Sequence, residues 1–108
     1  MSKLVHDILL EAIEASKPLA DEIQQQDRDL ASQLRRAASS AALNAAEGEW
    51  GRKGHRAERL AVAMNSAREA KQALRIAVAW GYIGATQSAS ADDRFDHAAA
   101  SLWRIIHG

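Results

Sequence analysis

Apolar residues recur at intervals of three and four along almost the whole chain, the period of an amphipathic helix. Between about Lys3 and Gln25 the stripe is Val5, Ile8, Leu9, Ala12, Ile13, Leu19, Ala20 and Ile23. Pro18 lies inside it. Proline lacks an N–H and clashes with the preceding turn, so a kink or a break is predicted near Ser16 and Lys17. The stripe resumes in phase, which favours the kink. A second helix is predicted from about Asp29 to Glu47, capped by Asp27 or Asp29 and stopped by Gly48. Its Leu30, Leu34, Ala37, Ala38, Ala41 and Ala45 share one face. After a turn over Glu49 to Gly54, a third helix runs from about His55 to Trp80, with Leu60, Ala63, Met64, Ala67, Ala70, Leu74, Ala77 and Val78 inward and Gly81 as its stop. Tyr82 to Ala89 read as a loop. Ser90 and Asp93 then resemble a capping box for a last helix over about Ala91 to Ile106, with Phe95, Ala98, Ala99, Leu102, Ile105 and Ile106 inward. Helices of comparable length joined by short connections predict an all-α fold, an antiparallel up-down-up-down four-helix bundle, with residues 1–108 as one domain.

Two of these helices carry a second apolar face. The second offers Ser39, Ala42, Leu43 and Ala46 opposite its core stripe, and the third offers Val62, Ala73, Ile76 and Trp80. A helix that is apolar or small on all sides is usually buried on all sides, and a domain of this size has too little interior for that. Self-association is therefore expected, with Ser39, Leu43, Ala46, Val62, Ile76 and Trp80 as candidate interface residues. The alternative is alanine chosen for helix propensity on an exposed face. Trp50, in the turn, is assigned as a plug over the bundle end in preference to an exposed contact, because tryptophan buries a large area where it can.

Composition adds exclusions. The absence of cysteine removes disulfides and thiolate metal sites, and the apolar runs are far shorter than the ~20 residues a spanning helix needs. A soluble protein of the reducing cytoplasm, with no membrane association, is expected. Net charge is zero but unevenly placed. Residues 1–34 hold three basic and seven acidic groups, residues 35–75 nine basic and four acidic, and residues 76–108 two and three. A basic middle segment suits either phosphate binding or pairing with the acidic first helix. Arg68, Lys71 and Arg75 flank the core stripe of the third helix, and salt bridges to the first helix are their simplest use.

Candidate chemistry is sparse. His6, His55, His97 and His107 never fall at the i, i+3 or i+4 spacing of a helical metal site, so no metal or cofactor is expected. No serine stands in a strand-turn-helix elbow, and no nucleophile, base and orienter are spaced as a set, so no enzymatic activity is expected. Asn44 and Glu47 border the apolar face of the second helix, where a polar group needs a hydrogen-bond partner, from a neighbouring helix end or the turn backbone. Glycines at Gly48, Gly51 and Gly54 precede a helix beside Arg52 and Lys53, a weak signal for an anion site. Arg35, Arg36, Arg52, Lys53, Arg56 and Arg59 are the candidate nucleic-acid ligands, contacting phosphate rather than bases.

The run QLRRAASSAALNAAEG followed by GRKGHR, together with the later Gly81-Tyr82-Ile83, resembles the signature of the four-helix-bundle proteins encoded by intervening sequences in 23S ribosomal RNA genes. Gln33, Leu34, Arg35, Arg36, Ala37, Ala38, Ser40, Asn44, Ala46, Glu47 and Gly48 fall in register with it. The accessory variability determinant (Avd) proteins of diversity-generating retroelements are similar as well. The resemblance implies a ring-like homopentamer without enzymatic activity. In the retroelement relatives the barrel is basic and binds reverse transcriptase and nucleic acid, whereas this chain is neutral overall. The expected function is an oligomeric scaffold that binds RNA, DNA or another protein through a basic surface. Its alternative is a purely structural or protein-interaction module that binds no nucleic acid.

Overall fold

The structure is a computed structural model and describes residues 3–51 and 53–108, with the backbone alone at Lys53. Four helices follow one another: α1 Val5–Gln24, α2 Arg28–Trp50, α3 Arg56–Trp80 and α4 Ala85–His107, with a short 3-10 turn at Lys53–His55 before α3. Each packs on its sequence neighbours, and α4 closes the ring onto α1. The pairings fix the directions. Residues at the start of α1 meet the end of α2 through His6 and Glu49, while Asp21 near the end of α1 meets Arg35 near the start of α2. Glu22 of α1 meets Gln87 at the start of α4, and Lys71 of α3 meets Asp92 of α4. Neighbouring helices are thus antiparallel, and the whole is an all-α, up-down-up-down four-helix bundle.

The helices form where periodicity places them, with changes at two ends. α1 runs unbroken through Pro18, which excludes the break. Asp27 caps α2, its carboxylate accepting from the Leu30 N–H at 2.9 Å. α2 does not stop at Gly48 but continues to Trp50. Gly48 serves packing instead: a Cβ there would lie 2.6 Å from Leu60 Cδ2 and 2.8 Å from its Cγ. Its missing side chain lets α3 approach α2. α4 starts at Ala85, well before Ala91, so the expected loop shrinks to the few residues after Trp80. Ser90 and Asp93 lie inside the helix, and the cap comes from Gln87, whose side-chain oxygen accepts from the Gly84 N–H at 3.0 Å. Gly81 takes the left-handed conformation that ends α3 (φ 81°), and the Tyr82 N–H returns to the Ala77 carbonyl at 2.9 Å. Here the glycine is required, since a Cβ disfavours that conformation.

The core is built of a few large side chains, Phe95, Leu9, Ile23, Leu34, Leu60, Leu74 and Leu102, set among many alanines. Ile105, expected inward, is exposed, while Met64, Val78, Ile13 and Ile106 lie half-buried at the margin. No helix among the described residues is long and apolar enough to cross a membrane.

Candidate interaction surfaces

Three of the six predicted basic ligands already have partners within the chain. Arg35 bonds Asp21 at 2.9 Å and also Gln24 of α1. Arg56 donates to the Gly48 carbonyl at 3.0 Å, satisfying a group near the end of α2. Arg59 reaches Glu47 at 3.2 Å and the Asn44 side-chain oxygen at 3.3 Å. Asn44 in turn donates to the Ser40 carbonyl at 2.9 Å. The neighbouring helix end therefore supplies the partner expected for Asn44 and Glu47. Arg36 is exposed and makes no ion pair among the described residues. It rims a groove between α2 and α3 floored by Ala37 and Ala73, with Glu69 on the other rim. Arg52 and the Lys53 side chain lie outside the described residues.

The salt bridges differ from expectation on α3. Lys71 pairs with Asp96 at 2.8 Å and Asp92 at 3.6 Å, both on α4 rather than α1. Its hydrogen bond to Asp96 raises the Lys71 pKa and lowers that of Asp96. Arg68 and Arg75 are exposed and pair with no acid among the described residues. The reason is geometric: the lysine side of α3 faces α4, and α1 lies diagonally across the bundle.

The candidate interface residues divide between surfaces. Ser39, Leu43 and Ala46 line a groove of about 390 Å³ between α1 and α2, which also includes Leu10, Ile13 and Ala42. Ile76 lines the separate α2–α3 groove. Val62 and Trp80 lie on α3 away from both grooves, with Trp80 stacked on Tyr82 at 6.4 Å. Leu43 is 65% exposed and Trp80 70% exposed, so these large apolar side chains are not core. Ala42 and Ala73, by contrast, are buried within the chain itself.

One constellation had no counterpart in the sequence reading. Glu49, near the end of α2, places its carboxylate over the start of α1. It accepts from the Val5 N–H at 3.0 Å and the His6 N–H at 2.9 Å, and lies 2.9 Å from His6 Nδ1. Helix starts leave N–H groups without partners and favour negative charge; here a side chain 43 residues away supplies both. Trp50 follows, its ring 4.3 Å from His6 at 68°. It is 69% exposed, so it leans on the imidazole and plugs nothing. The physical reason is that α2 continues past Gly48, which carries Trp50 to the outside of the bundle. The residue spacing held no signal for this cap, since helix N-caps are sought just before the helix.

The four side-by-side helices, the small-residue seam between α2 and α3 and the outward apolar positions define a class, antiparallel helical bundles with unpartnered faces. Within it the chain belongs to the 23S rRNA-intervening sequence protein family, whose model matches residues 2–104. No curated protein matches the sequence. In fold the chain is similar to the crystal structure of a protein of unknown function from the S23 ribosomal protein family of Bacteroides thetaiotaomicron. The TM-score is 0.84, with 22% identity over 96% of this chain and 99% of the other.

Proposed function

We propose that the protein is a non-enzymatic, self-associating scaffold of the cytoplasm, in which the outward apolar residues of α1, α2 and α3 form contacts between copies. The observation that carries this reading is the exposure of Leu10, Leu43, Val62, Ile76 and Trp80 on a chain of this size. Leu10 and Leu43 stand together on the α1–α2 groove, and large apolar side chains grouped on a surface mark association sites. A homopentamer is the assembly that the family resemblance implies. Sedimentation velocity tests it: wild type sediments as an oligomer, and Leu43→Asp shifts to monomer while keeping its helical circular dichroism. A wild-type monomer at tens of micromolar refutes the proposal.

A second reading, contact with RNA or DNA phosphates, is favoured by Arg36, which has no acid within ion-pair distance among the described residues. Such binding weakens steeply with salt. A salt titration of RNA binding by wild type, Arg36→Ala and the Arg52, Lys53, Arg56 triple-alanine variant decides it. No binding at low salt, or equal binding by all three, rejects it and leaves a purely protein-based scaffold.

A further inference from the structure

A groove of about 780 Å³ runs between the first half of α1 and the second half of α4. At its base lie Val5 and Ile8 of α1, both buried in the core, and Ile105 of α4 is its exposed apolar side chain. Its rim is cationic. Arg94, His97 and Arg104 project from one side of α4, and Lys3 stands across from them.

The acid and base balance there differs from the rest of the bundle. On the α3–α4 side Lys71 lies between two aspartates, so its charge is matched. Among the described residues the sole carboxylate lining the groove is Glu11, which pairs with Lys3 and sits 3.9 Å from Arg94 Nε. The Lys3 hydrogen bond holds the Glu11 carboxyl below its ordinary range. Arg104 meets only the neutral Ser101 hydroxyl at 3.2 Å, and the other Arg94 contacts are to Ser90, its neighbour on the same helix. The groove thus keeps two positive charges in excess, and His97 adds a third when protonated.

We propose that this groove docks an acidic amphipathic helix of a partner protein. The apolar side of that helix would cover Ile105 and the aliphatic stems of Arg94 and Arg104, and its carboxylates would pair with the two guanidinium groups. Ten residues apart on α4, the two guanidinium stems are about 15 Å apart along the axis, three turns of a helix lying parallel to α4. A helix in a groove takes its affinity from such anchors and its orientation from the rim charges. Nucleic acid is the poorer fit. Among the described residues the groove lining holds no Trp, Tyr or Phe on which a base could stack. The groove shares no residue with the α1–α2 face, so a Leu43 substitution probes that face without touching the groove.

The test uses the full chain and a fluorescein-labelled amphipathic helical peptide with leucines on one face and glutamates about three turns apart. Fluorescence anisotropy is expected to show binding that is about tenfold weaker for the same peptide with glutamine at those positions. A similar loss is expected for Arg94→Gln/Arg104→Gln, with a larger one for Arg94→Glu/Arg104→Glu, while Leu43→Asp binds as wild type. Amide shifts in a nitrogen-proton spectrum should cluster on Ile8, Ser101 and Ile105, which keeps the result readable if the charge reversal impairs folding. Equal binding of both peptides, shifts clustered elsewhere, or a single-stranded RNA oligonucleotide displacing the glutamate peptide from this groove overturns the proposal.

Discussion

The α2–α3 seam and the α1–α4 seam join helices in the same bundle by different means. Between α2 and α3 the contact is made by small groups: Gly48 against Leu60, and the Ser40 and Ser66 hydroxyls at 2.9 Å, with Ala41, Ala45, Ala63 and Ala67 buried beside them. Between α1 and α4 the margin is wider, held by Glu11 with Arg94 and Glu22 with Gln87, and open enough to leave the cationic groove. Small side chains let backbones approach and give dense packing with little tolerance of change. Long charged side chains hold helices at their rims and tolerate substitution, because exposed ion pairs contribute little. The contrast suggests that the first seam carries the stability and the second the adaptable surface.

That division can be broken most directly at the tight seam. Leu60→Ala, which empties a fully buried position facing Gly48, is expected to cost about 2–5 kcal/mol in urea unfolding. Gly48→Val should cost about 1–3 kcal/mol by overpacking Leu60; a neutral outcome would mean that α3 can shift, and that the seam is looser than its geometry. Next is the cross-helix cap. Glu49→Ala removes the acceptor for two N–H groups at the start of α1, an end that water can reach, and should cost about 1–2 kcal/mol. Its amide exchange should rise first at Val5 and His6.

Smaller effects belong to the ion pairs. Lys71→Met is expected to cost less than about 1 kcal/mol, since both partners are partly solvated. Its signature is in the pH dependence. The Asp96 pKa is lowered in the folded protein, so its contribution is present at neutral pH and fades as pH falls through the folded value. The Lys71 pKa is raised, so its contribution is present below the unfolded value and lost as pH rises through the folded one. Wild-type and Lys71→Met unfolding curves should therefore lie apart near neutrality and converge at both extremes. Glu22→Ala, at the open seam, should leave the melting temperature nearly unchanged. A large loss there would overturn the contrast between the seams.

Much of this was legible in the chain because it depends on local spacing. The inward stripes of α1 to α4, the glycine stop at Gly81 and the outward positions of Leu43, Val62, Ile76 and Trp80 follow from a period that any short window displays. Family membership was legible too, in the run from Gln33 to Gly48. Gly48 and the Ser90–Asp93 pair carry the usual signals of a helix boundary, but α2 continues to Trp50, and α4 already begins at Ala85 behind its own local cap, Gln87 on the Gly84 N–H.

By itself, then, the sequence determined how many helices form, which side of each turns inward, and which large apolar residues are left outside. Only the tertiary structure decided that Glu49 caps α1, that Lys71 pairs with α4, that Arg35, Arg56 and Arg59 are taken up within the chain, and that Arg94 shares Glu11 with Lys3 while Arg104 meets no acid among the described residues. The physical reason is that helical periodicity acts over a few residues. A charge or a hydrogen bond depends on which groups, tens of positions apart, the antiparallel register brings within 3 or 4 Å.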